Sequence, residues 1–225
     1  MKVGVVICIA LESAFAVVKK MEGFVAKLTA LGGGSGDSRE IYEHWAPTYE
    51  RNLQQEYGYI APQIAADTFA KYCTDRNAQI LDLGCGTGLV GKELFERGFS
   101  KLDGLDISTN MLDVARRKGV YKNLLIGDMT QTLDLGGKIY DAAIGVGCFG
   151  GGHIGTEHIL GIIGSVRSEG LLIFYINGIP YEQDDYQSHF RSLEATGEWN
   201  LLLLEKSNYM QKINRPGWVA VGRKA

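Results

Sequence analysis

The sequence lacks paired cysteines and any cluster of metal-ligating side chains. Its four cysteines, Cys8, Cys73, Cys85 and Cys148, are scattered and form no C-x-x-C pair. Zinc knuckles and the disulfide frameworks of small secreted proteins are built on closely spaced cysteines, so neither is predicted. No metal is expected, and the scattered cysteines fit a reducing, cytoplasmic compartment.

An excess of charge of one sign is also missing. The 225 residues include 23 lysines and arginines against 26 aspartates and glutamates, which gives a formal net charge of -3. Since proteins that grip phosphate backbones depend on a positive field, nucleic acid is not an expected partner. An apolar fraction of 45% fits one ordinary globular core.

No apolar run is long enough to span a bilayer, although residues 3–16 are mostly apolar. The A-F-A sequence at residues 14–16 imitates the cleavage site of a secretory signal, but Glu12 interrupts the apolar stretch. An amphipathic helix fits the next residues better, because apolar side chains recur at helical spacing at Val17, Val18, Met21, Phe24, Val25 and Leu28. No stable membrane insertion is expected.

A flexible hinge separates this N-terminal stretch from the rest of the chain. Residues 32–36 read GGGSG, which is typical of a flexible linker and also of one added during cloning. We therefore predict a peripheral segment over residues 1–36, native or foreign, and one domain over residues 37–225 that begins with helices at 37–73. The apolar stripe would bury itself against the domain, a second subunit or a membrane surface, so an oligomer is one alternative.

From residue 78 onward, short apolar runs alternate with helical patterns. Strands are predicted at residues 78–83, 102–107, 123–126, 142–146 and 171–176, and helices at 89–97, 108–118 and 156–166. Such alternation gives right-handed crossovers and a parallel sheet with helices on both faces, while residues 199–204 and 218–222 could pair as an antiparallel hairpin. The predicted fold class is α/β: a doubly wound, mostly parallel, seven-stranded Rossmann-like sheet with an antiparallel C-terminal edge hairpin.

The strongest local signal is ILDLGCGTG at residues 80–88, where a strand runs into three alternate glycines and then a helix. Glycines there allow a sharp turn and let a ligand approach the backbone, although an ordinary structural turn is the alternative. Asp82 lies two residues before the first glycine, where a carboxylate would repel a pyrophosphate but attract a cation. The electrostatics therefore favour S-adenosylmethionine, which carries a sulfonium and an ammonium, over NAD.

Two further carboxylates follow the next two predicted strands. Asp106 ends the second strand, where it can accept hydrogen bonds from both ribose hydroxyls of an adenosine, or cap the next helix instead. Asp128 follows the third strand and could accept from the adenine amino group, with Ile107 and Met129 flanking the ring. Because the carboxyl ends of parallel strands meet at one edge, these carboxylates and Asp82 are expected to converge on one crevice.

At these positions the chain resembles the class I S-adenosylmethionine-dependent methyltransferases. The resemblance rests on residues 82–88, on the two acidic strand ends and on YDAAI at residues 140–144, and it spans roughly residues 41–222. More narrowly, YEHWAPTY at residues 42–49 and the runs 81–90 and 216–222 resemble the methyltransferase-like proteins of the Williams-Beuren syndrome chromosomal region.

The resemblance implies a role for each matching residue. The glycines pass under the methionine part of the cofactor, Asp106 holds the ribose, and Asp128 with Met129 holds the adenine. An aromatic helix ahead of the first strand forms part of a lid that excludes water, unless its rings are merely core. The expected cofactor-binding residues are Tyr42, Trp45, Tyr49, Asp82, Gly84, Cys85, Gly86, Thr87, Gly88, Asp106, Ile107, Met111, Asp128, Met129 and Val146.

Methyl transfer demands little acid–base chemistry, because the sulfonium is already activated and positioning supplies much of the rate. A base is needed only where the acceptor must lose a proton. His153, in the sequence GGGH after the fourth strand, is then the first catalytic candidate and Cys148 the second, against the alternative of a structural or solvent-facing histidine.

The function predicted from the sequence is methyl transfer from S-adenosylmethionine to a small-molecule acceptor by a cytoplasmic enzyme, with S-adenosylhomocysteine as product. The short insertions after the fifth strand favour the small acceptor. The alternatives are a protein that binds S-adenosylmethionine or S-adenosylhomocysteine without turnover, a nucleotide-dependent oxidoreductase, and a partner-binding N-terminal helix tethered to a methyltransferase-like domain.

Overall fold

The computed structural model describes residues 44–46, 48–150 and 153–225, which build a seven-stranded sheet. The strands are β1 (Ile80–Leu83), β2 (Leu102–Asp106), β3 (Asn123–Ile126), β4 (Tyr140–Val146), β5 (Val166–Asn177), β6 (Trp199–Met210) and β7 (Arg215–Lys224). Their spatial order is β3-β2-β1-β4-β5-β7-β6, in which the first five are parallel and β7 is antiparallel to both of its neighbours. The predicted fold class and the antiparallel edge hairpin are confirmed.

Short helices connect these strands. They are α1 (Tyr49–Asn52), which continues as a π-helical turn over Leu53–Tyr57, α2 (Ala61–Tyr72), α3 (Leu89–Glu96), α4 (Thr109–Arg116), α5 (Ile159–Ile163), α6 (Gly178–Gln183) and α7 (Tyr186–Ala195). In α3, Val90 and Leu94 are buried while Lys92 and Glu96 form an exposed ion pair at 3.6 Å. This division of one helix into an apolar and a charged face is what the sequence spacing predicts.

The central strand β1 is apolar almost throughout because both of its faces are buried. Ile80 belongs to one hydrophobic core, whereas Leu81 and Leu83 belong to the other, as expected for side chains that alternate across a sheet. In the first core, Phe69 of α2 packs edge to face on Phe99 with ring centroids 5.0 Å apart. The centre of the sheet is therefore covered on both faces.

The C-terminal hairpin is anchored by Trp199 at the start of β6. This side chain is fully buried, and its Nε1 donates a hydrogen bond to the Phe190 carbonyl of α7 at 3.0 Å. Its ring also lies 6.0 Å from that of Phe174 in β5. Strand β7 lies between β5 and β6, with Val219 opposite Tyr175. The last strand of the chain is thus an internal strand of the sheet.

The helix predicted over residues 156–166 is shorter in the structure. Thr156–His158 form a 3-10 turn, α5 ends at Ile163, and Val166 already pairs with β4 as the first residue of β5. The two glycines of this segment, Gly161 and Gly164, have low helix propensity and limit the helix to little more than one turn. Pro62 lies in the first turn of α2, where its missing N–H is tolerated.

Some predictions concern residues outside the described part of the chain. These are the peripheral segment at 1–36 with its oligomerisation surface, and Tyr42 of the expected lid. Among the residues that the structure describes, no helix is long and apolar enough to cross a membrane, and no group of three or more histidine, cysteine, aspartate or glutamate residues could hold a metal ion.

Candidate active site

The loop between β1 and α3 adopts a conformation that only glycine reaches easily. Gly84, Gly86 and Gly88 have φ angles of +59°, +53° and +87°, in the left-handed region. A Cβ on Gly84 would lie 2.6 Å from the Cβ of Cys148 and 3.3 Å from the Met129 methyl. The loop therefore presents bare backbone to the space above it and leaves no room for a side chain there.

Asp106, at the end of β2, fixes this loop in place. One carboxylate oxygen accepts the Gly86 N–H at 2.8 Å, and the other accepts the Ser108 N–H at 2.9 Å. Ser108 in turn caps α4, since its hydroxyl accepts the Met111 N–H at 3.2 Å. The carboxylate oxygens can each accept a second hydrogen bond, so Asp106 can hold the loop and a ligand hydroxyl at once.

Asp128 follows β3 at the same edge of the sheet. Its Oδ1 accepts from the backbone N–H of Thr130 at 2.9 Å and from the Thr130 hydroxyl at 2.7 Å. The Gly127 N–H donates to the Asp106 carbonyl at 3.1 Å, which holds the two strand ends side by side. The carboxylates expected to lie at neighbouring strand ends do so in the structure.

These elements surround a crevice of about 100 Å³ that is open to solvent. Ten residues predicted for the site line it, namely Tyr49, Gly84, Gly86, Asp106, Ile107, Met111, Asp128, Met129, Val146 and His153. Cys148, the second catalytic candidate, also lines it, and four more lining residues were not predicted as site residues, namely Gly127, Thr130, Gly147 and Ile154. We call the glycine loop with Asp106 the floor of this crevice.

Five predicted residues lie behind the wall instead of on it. They are Trp45, Asp82, Cys85, Thr87 and Gly88, none of which lines the crevice. Gly88 is the N-cap of α3, and a Cβ there would approach the ring of Tyr121 to 3.0 Å. These residues can therefore affect cofactor binding only indirectly, by shaping the glycine loop or through their charge.

Asp82 is the clearest case of such an indirect group. Its carboxyl is buried beneath the loop, where Oδ2 accepts the Tyr121 hydroxyl at 2.6 Å. Oδ1 makes no hydrogen bond of good geometry to any described residue, although the Gly91 amide lies near. Burial raises the pKa of Asp82 to about 7, and the charge of Asp106 adds to this shift while the Tyr121 hydroxyl opposes it. A cation bound above the loop would relieve the cost of this buried charge.

Tyr121 and Lys118 were not predicted as site residues, yet both contact the glycine loop or the residues beneath it. The Tyr121 ring fills the space that glycines leave, since a Cβ on Gly91 would lie 2.2 Å from its hydroxyl oxygen. Lys118 donates to the Thr87 carbonyl at 2.7 Å and forms an ion pair with Glu50 of α1. Lys118 ends the helix predicted over residues 108–118, and no spacing in the sequence links it to residue 50.

Aromatic side chains lie opposite the floor. Tyr49 of α1 lines the crevice, and Trp45 packs against it edge to face at 4.9 Å while donating to Asn52 at 3.1 Å. Burial raises the pKa of the Tyr49 hydroxyl, with Tyr209 and Asp106 contributing, so the phenol remains neutral. We call the group of Tyr49, Tyr59 and Tyr209 the roof; among the described residues of this group, Tyr49 alone lines the crevice.

The two candidate bases also lie at the crevice. His153 Nδ1 is 2.9 Å from the Gly150 carbonyl, which can only accept, so this nitrogen carries the proton and Nε2 carries the lone pair. The Cys148 thiol donates to the Leu83 carbonyl at 3.4 Å, and burial raises the pKa of that thiol well above its ordinary value. Of the two, the imidazole offers a nitrogen lone pair to a proton, whereas the protonated thiol does not.

Comparison with known proteins agrees with this architecture. Residues 80–166, from β1 to the first residue of β5, match the family model described as a methyltransferase domain. Over 117 residues the chain is 37% identical to human methyltransferase-like protein 27, which covers 51% of this chain and 47% of that protein. Over 67 residues it is 48% identical to an 18S rRNA (guanine-N(7))-methyltransferase of Arabidopsis thaliana, covering 30% of this chain and 23% of that protein.

The chain thus spans about half or less of the length of these curated relatives. Among solved structures, the fold is similar to that of magnesium protoporphyrin IX methyltransferase from Synechocystis, which was crystallised with S-adenosylmethionine. The TM-score is 0.60 at 16% identity, covering 82% of this chain and 95% of the other. The resemblance inferred from the motifs is confirmed: residues 80–166 match a methyltransferase domain, and the Rossmann-like fold is shared with solved structures of methyltransferases.

Proposed function

We propose that this chain transfers a methyl group from S-adenosylmethionine to an acceptor bound at the same crevice. The observation that carries the proposal is the convergence of the left-handed glycine loop, Asp106 and Asp128 on one cleft at the carboxyl ends of β1, β2 and β3. Ligands of open α/β sheets bind at that edge. The matched methyltransferase domain supports the same activity.

In this proposal, different lining residues bind different parts of the cofactor. The bare backbone at Gly84 and Gly86 receives the methionine part, Asp106 accepts from the ribose hydroxyls, and Asp128 accepts from the adenine amino group. Apolar side chains of Ile107, Met111, Met129 and Val146 complete the walls around the adenosine. When bound, S-adenosylmethionine supplies an activated methyl group on a sulfonium, so the protein contributes mainly position and exclusion of water.

The charge of the site fits this cofactor. The buried Asp82 carboxyl and the floor carboxylate of Asp106 together favour a cation, as a sulfonium with an ammonium would provide, and disfavour a pyrophosphate. The Asp82 Oδ1 atom, buried and without a good hydrogen-bond partner among the described residues, is the group whose cost such a cation would reduce.

His153 is the proposed base for acceptors that must lose a proton. Its Nδ1 is held by the Gly150 carbonyl, which directs the basic Nε2 away from that loop, and the residue lines the crevice. Methylation of an acceptor that carries no proton would not require it. The variant His153→Gln should therefore slow methyl transfer at neutral pH while leaving S-adenosylhomocysteine affinity unchanged.

We further propose a small acceptor and a cytoplasmic location. No lysine or arginine lines the crevice among the described residues, and the formal net charge is -3, which offers little attraction to an RNA backbone. Some relatives are rRNA methyltransferases, so the acceptor class needs a direct test. Labelled S-adenosylmethionine incubated with the protein and a cell extract should place label in the small-molecule fraction; label in RNA would contradict this part of the proposal.

Calorimetric titration tests the cofactor assignment. We expect S-adenosylmethionine and S-adenosylhomocysteine to bind and NAD not to bind. Asp106→Ala should weaken S-adenosylhomocysteine binding by about 100-fold, since it removes the ribose acceptor and releases the loop. The matched control is Asp134→Ala, because Asp134 also accepts the N–H two residues ahead, at 2.9 Å, but lies away from the crevice. Binding of NAD alone would overturn the proposal.

A further inference from the structure

The first residue of α7 contacts the backbone beside the proposed base. Tyr186 is fully buried, and its hydroxyl donates a hydrogen bond to the Ile154 carbonyl at 2.6 Å. Ile154 and its neighbour His153 both line the crevice. Burial raises the pKa of the Tyr186 phenol, and the charge of Asp184 adds to this shift, so the hydroxyl keeps its proton and remains a donor.

Hydrogen bonds continue from the Ile154 carbonyl to the imidazole of His153. The Ile154 carbonyl also accepts the Gly150 N–H at 2.9 Å, and Phe149 pairs with Ile154 as an isolated bridge. The Gly150 carbonyl in turn lies 3.2 Å from the backbone N of His153 and 2.9 Å from its Nδ1. A chain of three hydrogen bonds therefore links the Tyr186 hydroxyl to the ring of His153.

The helices α6 and α7 hold this loop at two points. The Tyr186 ring packs edge to face on that of Phe149, with centroids 6.5 Å apart. Pro180 of α6 lies so close to Gly150 that a Cβ on the glycine would come within 2.1 Å of the Pro180 Cβ. The Gly150 backbone and the Ile154 carbonyl are thus both fixed from the same side, which preorganises the chain around His153.

We propose that Tyr186 is a positioning residue for His153, which it keeps in the Nδ1–H tautomer by fixing the loop that carries the accepting Gly150 carbonyl. The inference rests on the proposed function, in which His153 is the base. In this tautomer Nε2 takes the proton of the acceptor, while the acceptor atom bonds to the methyl carbon and the electron pair of the broken C–S bond stays on sulfur. In the other tautomer Nε2 already carries a proton and cannot do so.

Nitrogen NMR of the histidine side chains tests this proposal without an acceptor, because it shows which ring nitrogen carries the proton. At about pH 8.5, where imidazoles are neutral, we expect the Nδ1–H tautomer for His153 in the wild type, with His153→Gln assigning the signal. Tyr186→Phe keeps the ring and removes the donor. It should shift the tautomer ratio about fivefold toward Nε2–H, as for the weakening of one hydrogen bond. Calorimetry should show S-adenosylhomocysteine affinity within about twofold of wild type, since Tyr186 does not line the crevice.

The matched control is Tyr140→Phe, which removes a buried hydroxyl that donates to Asp103 at 2.9 Å, away from the crevice, so the tautomer ratio should not change. Gly150→Ala is the second variant if Tyr186→Phe fails to fold, because its Cβ would push the loop away from Pro180 and should cause the same shift.

The outcomes separate this inference from the proposed function. If S-adenosylhomocysteine binds but the ratio is unaltered in Tyr186→Phe, or in Gly150→Ala where only that variant folds, the positioning role is wrong while the proposed function stands. A wild-type His153 that carries its proton on Nε2 would overturn the inference in the same way. If S-adenosylhomocysteine does not bind the folded wild type, the proposed function fails, and this inference fails with it.

Discussion

The floor and the roof of the crevice are built in different ways. Floor contacts join parts of the chain that are close in sequence. One example is the hydrogen bond that the Gly86 N–H donates to the Asp106 carboxylate, 20 positions away. Roof contacts join distant parts through side chains, as in the meeting of Tyr59 and Tyr209 across 150 positions. The two sets of contacts use different residues, so the proposed cofactor site can be kept while the roof is changed. In the proposed function, the floor holds the cofactor.

Gly84→Ala should give the largest effect and tests whether the floor depends on close approach. Its φ of +59° disfavours any side chain, and the new Cβ would overlap the Cβ of Cys148. We expect a loss of about 2–4 kcal/mol in unfolding free energy, about 1 from backbone strain and the rest from overlap, and at least ~100-fold weaker S-adenosylhomocysteine binding. Urea denaturation and calorimetry measure the two effects.

The matched control for that variant is Gly136→Ala. Gly136 has nearly the same φ, +60°, but a Cβ there would meet nothing within 4 Å. It should lose only the strain, about 1 kcal/mol, and bind the ligand as the wild type does. Equal losses of stability and affinity in the two variants would show that contact with Cys148 is unimportant and that the floor tolerates a side chain.

Asp82→Asn tests the buried charge beneath the floor. Since burial raises the folded-state pKa to about 7, above the ordinary 3.8, the unfolded chain gives up this proton first and stability falls as pH rises from about 4 through 7. The neutral variant escapes this loss. Relative to wild type, its unfolding free energy should gain on the order of 2 kcal/mol between about pH 5.5 and pH 8.

Asp103→Asn provides the control of opposite sign. Although burial opposes the shift, hydrogen bonds from Lys138, Asn123 and Tyr140 lower the pKa of Asp103. The stabilisation from a lowered pKa is complete above the unfolded value, so the difference between this variant and wild type should not vary with pH over the same range. A flat profile for Asp82→Asn as well would refute the raised pKa.

Lys118→Met tests the link between floor and roof. Lys118 bridges the Thr87 carbonyl of the floor and Glu50 of α1, and its side chain is 16% exposed. Removing it should free α1 and weaken S-adenosylhomocysteine binding about threefold to tenfold, as expected for a partly buried ion pair with one further hydrogen bond. Lys122→Met, at an exposed lysine nearby, should have no effect. If both variants bind S-adenosylhomocysteine with the same affinity, the contact of Lys118 with Glu50 has no influence on ligand binding at the floor.

Tyr121→Phe should give the smallest effect. The ring that fills the space beside Gly88 and Gly91 is retained, and only the donor to Asp82 is lost. We expect a loss of about 1 kcal/mol in urea denaturation near neutral pH. Because that hydroxyl lowers the Asp82 pKa, its removal should raise this pKa. The fall of unfolding free energy with rising pH should then extend to a higher pH than in the wild type. An unchanged pH range would mean that the hydroxyl does not act on the carboxyl.

The sequence predicts the floor well for a physical reason. Alternate glycines after a buried strand leave few backbone conformations, and parallel strands must bring their carboxyl ends to one edge, so Gly84, Asp106 and Asp128 could be placed without coordinates. The parallel sheet follows from the alternation of strands and helices, and the antiparallel hairpin from two closely spaced C-terminal strands, whereas the order of the strands was not predicted. The helix predicted over residues 156–166 was too long because two glycines inside an apolar pattern still show helical spacing.

The roof and its supports could not be predicted in this way. Tyr209 lies on β6 and reaches Gly147 only because β7 is inserted beside β5, which no local pattern specifies. Tyr121 meets Asp82 across 39 positions through a side chain from the turn before β3. Such contacts depend on the packing of whole elements. Whether each predicted site residue binds the cofactor remains a prediction for the titrations above.

The internal position of β7 has a consequence for biosynthesis. When the ribosome has made β6, the edge of β5 that β7 will cover still carries unpaired N–H and C=O groups beside apolar side chains. The sheet can close only after Arg215–Lys224 has emerged, so the nascent protein passes through a stage with an adhesive edge. A stalled or prematurely terminated chain would be a natural client for chaperones that shield exposed strands.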